Sequence, residues 1–208
     1  MNSAGLISVG LIGAGRMGSF HAETLARRLP GTRLAAIADP APGAAQKLAQ
    51  QLADRLDDGP RALTDPGQLL ADPAIDAVVI VTPARTHAGL VEAAARAGKA
   101  VYCEKPMALT LADADRAIDA ARQAGVPLQI GFNRRYDAGF RAARDTIDAG
   151  GIGTPQLLRS LTRDPALADP ARIPPWTIFT ETLIHDLTHC ASSTPGPSPP
   201  RYSPWPTR

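Results

Sequence analysis

The chain is poor in the features that mark several large protein classes. It holds two cysteines, Cys103 and Cys190. Two such residues make neither a disulfide framework nor a metal-site spacing, so no metal is expected and a reducing cytoplasm is the default compartment. There is no run of about 18 apolar residues of the kind that spans a bilayer. Met1-Asn2-Ser3-Ala4-Gly5 shows no basic stretch ahead of an apolar one, so no secretory leader is read there. Net charge is only +2, too small a field to imply a nucleic-acid or membrane partner. Past Leu187 there is no Leu, Ile, Val, Met or Phe at all, and residues 191–208 carry six prolines. Such a segment cannot bury enough apolar area to offset its ordering entropy, and disorder is expected over 191–208. What remains is ordinary for a globular protein: 44% hydrophobic and 20% charged residues in a chain of 208. That is enough for one full domain and part of another.

The most informative stretch is 7–39. Ile7-Ser8-Val9-Gly10-Leu11-Ile12 is short, apolar and β-branched, as a buried strand is. Gly13-Ala14-Gly15-Arg16-Met17-Gly18 follows at once and leads into an amphipathic helix. A second strand, Leu34 to Ala38, ends on Asp39. Each part has its own physical task. Gly13 permits the tight turn, Gly15 lets backbone approach a pyrophosphate, and Gly18 lets the helix pack closely on the strand. The helix start, at Arg16 and Met17, offers free N–H groups to phosphates. A carboxylate about 20 residues past the glycines is placed for the adenosine ribose hydroxyls. It would repel a 2′-phosphate, and Pro40, Ala41 and Pro42 bring no arginine to receive one, so NAD is expected over NADP.

Strand and helix signals then alternate, which predicts an α/β fold with a doubly wound parallel sheet of the Rossmann type. Ala22, Leu25, Ala26 and Leu29 share a face of the first helix, which Gly31 stops. A second helix is predicted over 42–56, with Ala45, Leu48, Ala49 and Leu52 inward. Asp65 caps a short helix carrying Leu69 and Leu70. Ala77 to Val81 is a strand. Thr86 starts a helix with Leu90, Val91, Ala94 and Ala95 inward and Gly98 as its stop. Lys99 to Cys103 is the next strand. Thr110 and Asp113 open a helix that ends at Gly125, and Val126, Leu128 and Ile130 alternate as a strand. The NAD-binding domain is therefore expected over 1–130. Beyond it, a helix over 137–149, a strand over 156–162 and a helix opening at 178–187 predict the start of an α+β second domain, 131–187, that is incomplete.

Two further motifs fall at strand ends, where open α/β sheets bind ligands. Val81-Thr82-Pro83 is followed by His87, and Tyr102-Cys103-Glu104-Lys105-Pro106 ends the next strand. Together with Gly13–Gly18, Asp39 and Gly131-Phe132-Asn133-Arg134-Arg135-Tyr136-Asp137, they resemble the glucose–fructose oxidoreductase/inositol dehydrogenase/MocA (Gfo/Idh/MocA) family, most of all its myo-inositol 2-dehydrogenase branch, over residues 6–187. The resemblance implies NAD-dependent oxidation of a ring hydroxyl of a cyclitol or sugar to a ketone. It implies that Lys105 stabilises charge on the reacting oxygen and also touches the coenzyme, that Glu104 holds the nicotinamide ribose, and that Thr82, Pro83 and His87 face the coenzyme. The Lys105–Pro106 bond is expected to be cis. In Glu181-Thr182-Leu183-Ile184-His185-Asp186, His185 matches the family's general base and Glu181 lies four residues before it. Inositol dehydrogenases usually carry Asp where Glu181 stands. Asn133, Arg134 and Asp164 fall where the family lines its substrate pocket. Intact members form homo-oligomers through a sheet of the second domain that is mostly missing here.

Blander roles are assigned elsewhere. His21 is read as packing at the solvent edge of the first helix, Cys103 as a small buried residue, and His189 receives no role. Codons for the tail can be chosen so that one deleted base after the Leu187 codon turns a family-like helix and strand into it, so residues 188–208 are read either as the product of a frameshifted gene or as a sequencing artefact of an intact one. The competing functional reading is a non-catalytic NAD-binding or partner-binding module, with Tyr202, Trp205 and the spaced prolines as a recognition tail.

Overall fold

A computed structural model of the chain describes residues 5–53, 59–162 and 177–193, with only the backbone described for Glu181 and 189–193. The chain divides into two compact units, Met1–Gly131 and Phe132–Arg208.

The first unit is a six-stranded parallel sheet: β1 (Ile7–Ile12), β2 (Thr32–Ala38), β3 (Arg61–Leu63), β4 (Ala77–Ile80), β5 (Ala100–Cys103) and β6 (Leu128–Ile130). Its spatial order is β3-β2-β1-β4-β5-β6. The order reverses between β1 and β4, which makes the crevice beyond their carboxyl ends a ligand position. Helices α1 (Arg16–Arg27), α2 (Ala44–Ala53), α3 (Pro66–Ala71), α4 (His87–Arg96) and α5 (Leu111–Ala124) make the crossovers. One apolar cluster joins β1 and β2 to α1 and α2 through Leu11, Ala22, Leu25, Ile37, Ala45 and Leu48. The other joins the sheet to α3, α4 and α5 through Ile12, Leu69, Ile80, Val91, Val101 and Ala117. Strands covered on both faces explain why these segments read as near-continuous apolar runs.

Local chemistry sets the boundaries. The Asp65 carboxylate accepts the Gly67 N–H at 2.8 Å to start α3. Thr110 Oγ accepts the Asp113 N–H at 3.1 Å to start α5, which Gly125 ends in the left-handed conformation. The first helix stops at Arg27, two residues before Leu29. That residue is 45% exposed, so it does not share the inward face its spacing suggested. Pairing of β1 with β2 slips by one residue after Val9, with Gly10 opposite Ala36. A side chain at Gly10 would press on Leu69, whose nearest methyl lies 2.5 Å from the ideal Cβ position.

The second unit holds a turn of 3-10 helix at Asn133–Tyr136, α6 (Ala138–Asp148), a π-helical turn at Ile178–Thr182 and α7 (Leu183–Ser193), which packs against α6. Asp137 caps α6 by accepting the N–H groups of Gly139 and Phe140. The strand expected over 156–162 is not formed; the backbone there is irregular. A strand exists only with a ladder partner, and among the described residues nothing pairs with this segment. Helix α7 continues through Ser193, so 191–193, expected to be disordered, are helical. The rest of the tail, with Tyr202 and Trp205, and Asp164 lie outside the described residues. No described helix is long and apolar enough to cross a membrane.

Because Gly10 makes room for Leu69, Gly10→Ala is expected to cost about 1–3 kcal/mol by overpacking and Leu69→Ala about 2–5 kcal/mol by opening a cavity. Denaturant unfolding of the double variant should show a loss smaller than the sum of the single losses.

Candidate functional site

The glycine-rich turn is built by close approach. Gly13 has a φ of 108°, and a Cβ there would lie 2.7 Å from the Val81 carbonyl oxygen. A Cβ on Gly18 would collide with the Gly13 carbonyl. Gly15 differs: a Cβ there would meet nothing within 4 Å. Its smallness serves no packing inside the chain and leaves an open cradle. Arg16 and Met17 lie exposed in the first turn of α1, which has no side-chain cap and no acidic residue. Uncapped N–H groups beside an open glycine form a seat for an anion. A dinucleotide pyrophosphate fits it.

Asp39 bounds this seat. One carboxylate oxygen accepts the Ala14 N–H at 2.7 Å and the other the Ala41 N–H at 2.8 Å. The carboxylate thus ties the glycine turn to the end of β2.

The ends of β4 and β5 are joined by His87, which is 2% exposed. Its Nδ1 lies 2.7 Å from the Pro106 carbonyl oxygen and its Nε2 2.7 Å from that of Thr82. Both nitrogens are occupied by backbone, so His87 bears on the site through the turns it holds. Thr82 is half-buried and Pro83 exposed. The Thr86 hydroxyl lies 2.7 Å from that of Thr82. The Lys105–Pro106 peptide is cis, as expected.

Glu104 is the most heavily engaged acid at this edge. Its Oε1 lies 2.8 Å from His21 Nε2, and its Oε2 accepts the Lys105 N–H at 3.2 Å. Burial pushes this carboxyl up, but the His21 hydrogen bond and charge, followed by the Lys105 N–H and ammonium, outweigh it and hold Glu104 below the usual range. The neighbouring Cys103 thiol is buried and pushed up to about 12 by that burial and by the Glu104 charge. A thiol so rarely ionised is no nucleophile.

In the second unit, His185 is half-buried on α7 and is followed by the buried Asp186. Asp186 Oδ1 accepts Arg134 Nη1–H at 2.7 Å, the Thr162 hydroxyl at 2.8 Å, and the Ser160 hydroxyl. Arg134 also donates to Thr162 at 2.7 Å. Burial raises the Asp186 carboxyl, yet hydrogen bonds from Ser160, Thr162 and Arg134 and the Arg134 charge bring it down to about 2. Arg134, Phe140, Leu158, Arg159, Ser160 and Thr162 line a cavity of about 390 Å³. Asn133 is exposed. Glu181 sits in the π-helical turn, where the wider winding removes the guarantee that a four-residue spacing shares one face with His185. Two groups escaped the sequence reading: His21, assigned only a packing role, and Asp186. A histidine in the helix that starts at the glycine turn was the available signal for the first, and a carboxylate beside His185 for the second. Among the described residues no cluster of His, Cys, Asp and Glu has the makings of a metal site.

Comparison with known proteins follows the same division. A family model described as an oxidoreductase family with an NAD-binding Rossmann fold, Gfo/Idh/MocA, matches residues 7–132. The chain is 38% identical over 178 residues to scyllo-inositol 2-dehydrogenase (NAD(+)) of Bacillus subtilis, covering 85% of this chain and 50% of that protein. It is 39% identical over 181 residues to myo-inositol 2-dehydrogenase of Thermotoga maritima, covering 86% and 52%. The structure superposes with a TM-score of 0.82 on Lactobacillus casei scyllo-inositol dehydrogenase holding NAD(H) and scyllo-inositol, at 29% identity over 91% of this chain and 56% of that one. The chain spans about half the length of the curated relatives it matches.

The low Asp186 value has a sign. Its folded value, about 2, lies below the ordinary 3.8, so it contributes stability that is fully present above 3.8 and lost as pH falls toward about 2. Acid unfolding monitored between those limits should lose part of its pH dependence in Asp186→Asn.

Proposed function

The chain belongs to the Gfo/Idh/MocA oxidoreductases with an NAD-binding Rossmann fold, and from that premise we propose that it is an NAD-dependent dehydrogenase that oxidises a ring hydroxyl of a cyclitol, or of a sugar, to a ketone. The observation that carries the reading is the meeting, at one edge of one sheet, of an open glycine cradle, Asp39 and the Glu104-Lys105-Pro106 turn, in a chain 38–39% identical to two inositol dehydrogenases.

Gly13, Gly15 and Gly18 and the first turn of α1, with Arg16 and Met17, receive the pyrophosphate. Asp39 takes the adenosine ribose hydroxyls and repels a 2′-phosphate. Glu104 takes the nicotinamide ribose, beside Thr82 and Pro83. NAD, when bound, supplies the hydride acceptor. Lys105 donates a hydrogen bond to the reacting oxygen and stabilises the negative charge that develops there. The imidazole of His185 accepts the hydroxyl proton, with Glu181 as its assigned partner; a group titrating near neutrality suits this role. Asn133 and Asp164 are assigned to substrate hydroxyls. Arg134, committed to Asp186 and Thr162, serves the site by holding the helix that carries His185.

NADH formation, followed by absorbance with NAD and a panel of inositols and aldoses, tests the assignment. Activity with a cyclitol or sugar supports it; none with any of them, in a protein that binds NADH, refutes it. Lys105→Ala and His185→Ala should each lower kcat by about 10²–10⁴-fold, and His185→Ala should leave NADH binding in place. Asp39→Ala should narrow the preference for NAD over NADP.

A further inference from the structure

His21 lies in the second turn of α1, on a flank of the helix beside the face that buries Gly18, Ala22 and Leu25. Its ring reaches Glu104 across the sheet edge at 2.8 Å, and both side chains are 16% exposed. The contact is more than a pair. The Tyr102 ring lies 5.4 Å from the His21 ring, centroid to centroid, and its hydroxyl stands 3.5 Å from Glu104 Oε1. The Lys105 N–H takes the other oxygen. Gly131 closes the arrangement: a Cβ there would lie 2.5 Å from the Tyr102 hydroxyl and 3.2 Å from Glu104 Oε1. The end of β6 is thus kept bare where the tyrosine and the carboxylate stand. The groups facing the Glu104 carboxylate are His21 from α1, Tyr102 from β5 and Lys105 from the following turn, and Gly131 adds none.

A glutamate has three rotatable bonds, and an unheld one would sample many rotamers before meeting a ligand. We propose that His21 is a positioning residue for the coenzyme: it holds the Glu104 carboxylate in a seat formed by Tyr102, Gly131 and the Lys105 N–H, and so links the helix that follows the glycine turn to the ribose-binding end of β5. The inference rests on the assignment of Glu104 to the nicotinamide ribose. It gives His21 an effect on coenzyme affinity without contact with the coenzyme. It also gives Gly131 a reason to be glycine, since its backbone is not in the left-handed region.

Two measurements on the 208-residue protein test it. In the first, the imidazole signals of nitrogen-15-labelled protein are recorded at one fixed pH, with His21→Ala identifying the His21 resonance. Glu104→Gln is expected to move the His21 Nε2 signal, because the carboxylate oxygen 2.8 Å from it is replaced by a neutral amide. An unmoved signal overturns the pairing and the proposal with it. In the second, NADH binding is measured by fluorescence for wild type, His21→Ala, His21→Gln, Glu104→Gln and the double variant His21→Ala/Glu104→Gln. His21→Ala is expected to weaken binding about tenfold, the order expected for one hydrogen bond to a charged group. His21→Gln is expected to recover most of that loss, since its amide also donates to a carboxylate. His21→Ala is expected to add nothing to Glu104→Gln. Additive losses, equal losses for Ala and Gln, or no loss overturn the proposal. If wild type binds no NADH, the coenzyme reading fails and this inference with it; a His21 Nε2 signal that still moves in Glu104→Gln then marks the pair as structural only. Wild-type NADH binding that His21→Ala leaves untouched overturns this inference alone.

Discussion

The nucleotide end of the first unit depends on how closely α1 can approach the strand ends. Two carbonyl contacts set that distance: Gly18 against the Gly13 oxygen and Gly13 against Val81. Neither tolerates a methyl group. With the helix seated this deeply, Ala14 comes within hydrogen-bond reach of Asp39 at the end of β2, and His21, one turn further along, reaches Glu104 at the end of β5. Had α1 stood off by the width of a methyl group, both links would have opened together. The small residues of the glycine turn therefore do two things. They leave room for a phosphate at Gly15, and they bring the acids of two other strands to fixed positions around that room.

Most of the first unit was legible from the chain because its information is local. The five strands that were predicted are short runs of apolar or alternating residues, and the crossover helices repeat apolar residues at helical spacing; β3, the three residues Arg61–Leu63, carries neither signal and was not foreseen. Asp65 and Thr110 announced the starts of α3 and α5, and both caps are made. The misses have a common cause. Leu29 fits the helical spacing of α1, but the helix ends two residues earlier. Residues 156–162 read as a strand by composition, but composition reports only a preference for extended backbone. It says nothing of whether a neighbour exists to complete the ladder.

The same distinction divides the candidate site. Gly13, Gly15, Gly18 and Asp39 could be found because one strand–turn–helix–strand unit carries them all at fixed spacing. His21 and Glu104 are 83 residues apart, and Arg134 and Asp186 are 52 apart. No spacing rule joins residues at such separations; only the folded sheet or the packed helices do. His87 shows the reverse failure. Its position after Val81-Thr82-Pro83 suggested a coenzyme contact, whereas the fold buries the ring and occupies both nitrogens with the carbonyls of Thr82 and Pro106. Linear position placed it between the turns that follow β4 and β5 and left its orientation open.

A comparison among the helices bears on why the cradle is left as it is. Helices α3, α5 and α6 each begin with a side-chain cap, from Asp65, Thr110 and Asp137. Helix α4 continues from a preceding 3-10 turn. Helix α1 begins at Gly15 with no cap and no acid in its first turn. A cap is worth about 1 kcal/mol, so its omission at α1 is a local sacrifice in a chain that supplies caps elsewhere. A serine or aspartate at position 15 would satisfy the helix, but its side chain would stand in the open space that Gly15 leaves, and a carboxylate there would repel a phosphate. Asp39 instead accepts the backbone N–H groups of Ala14 and Ala41, and Glu104 is held by His21 and the Lys105 N–H. The arrangement trades a little helix stability for an anion seat, and it would make little sense in a domain that bound no anion.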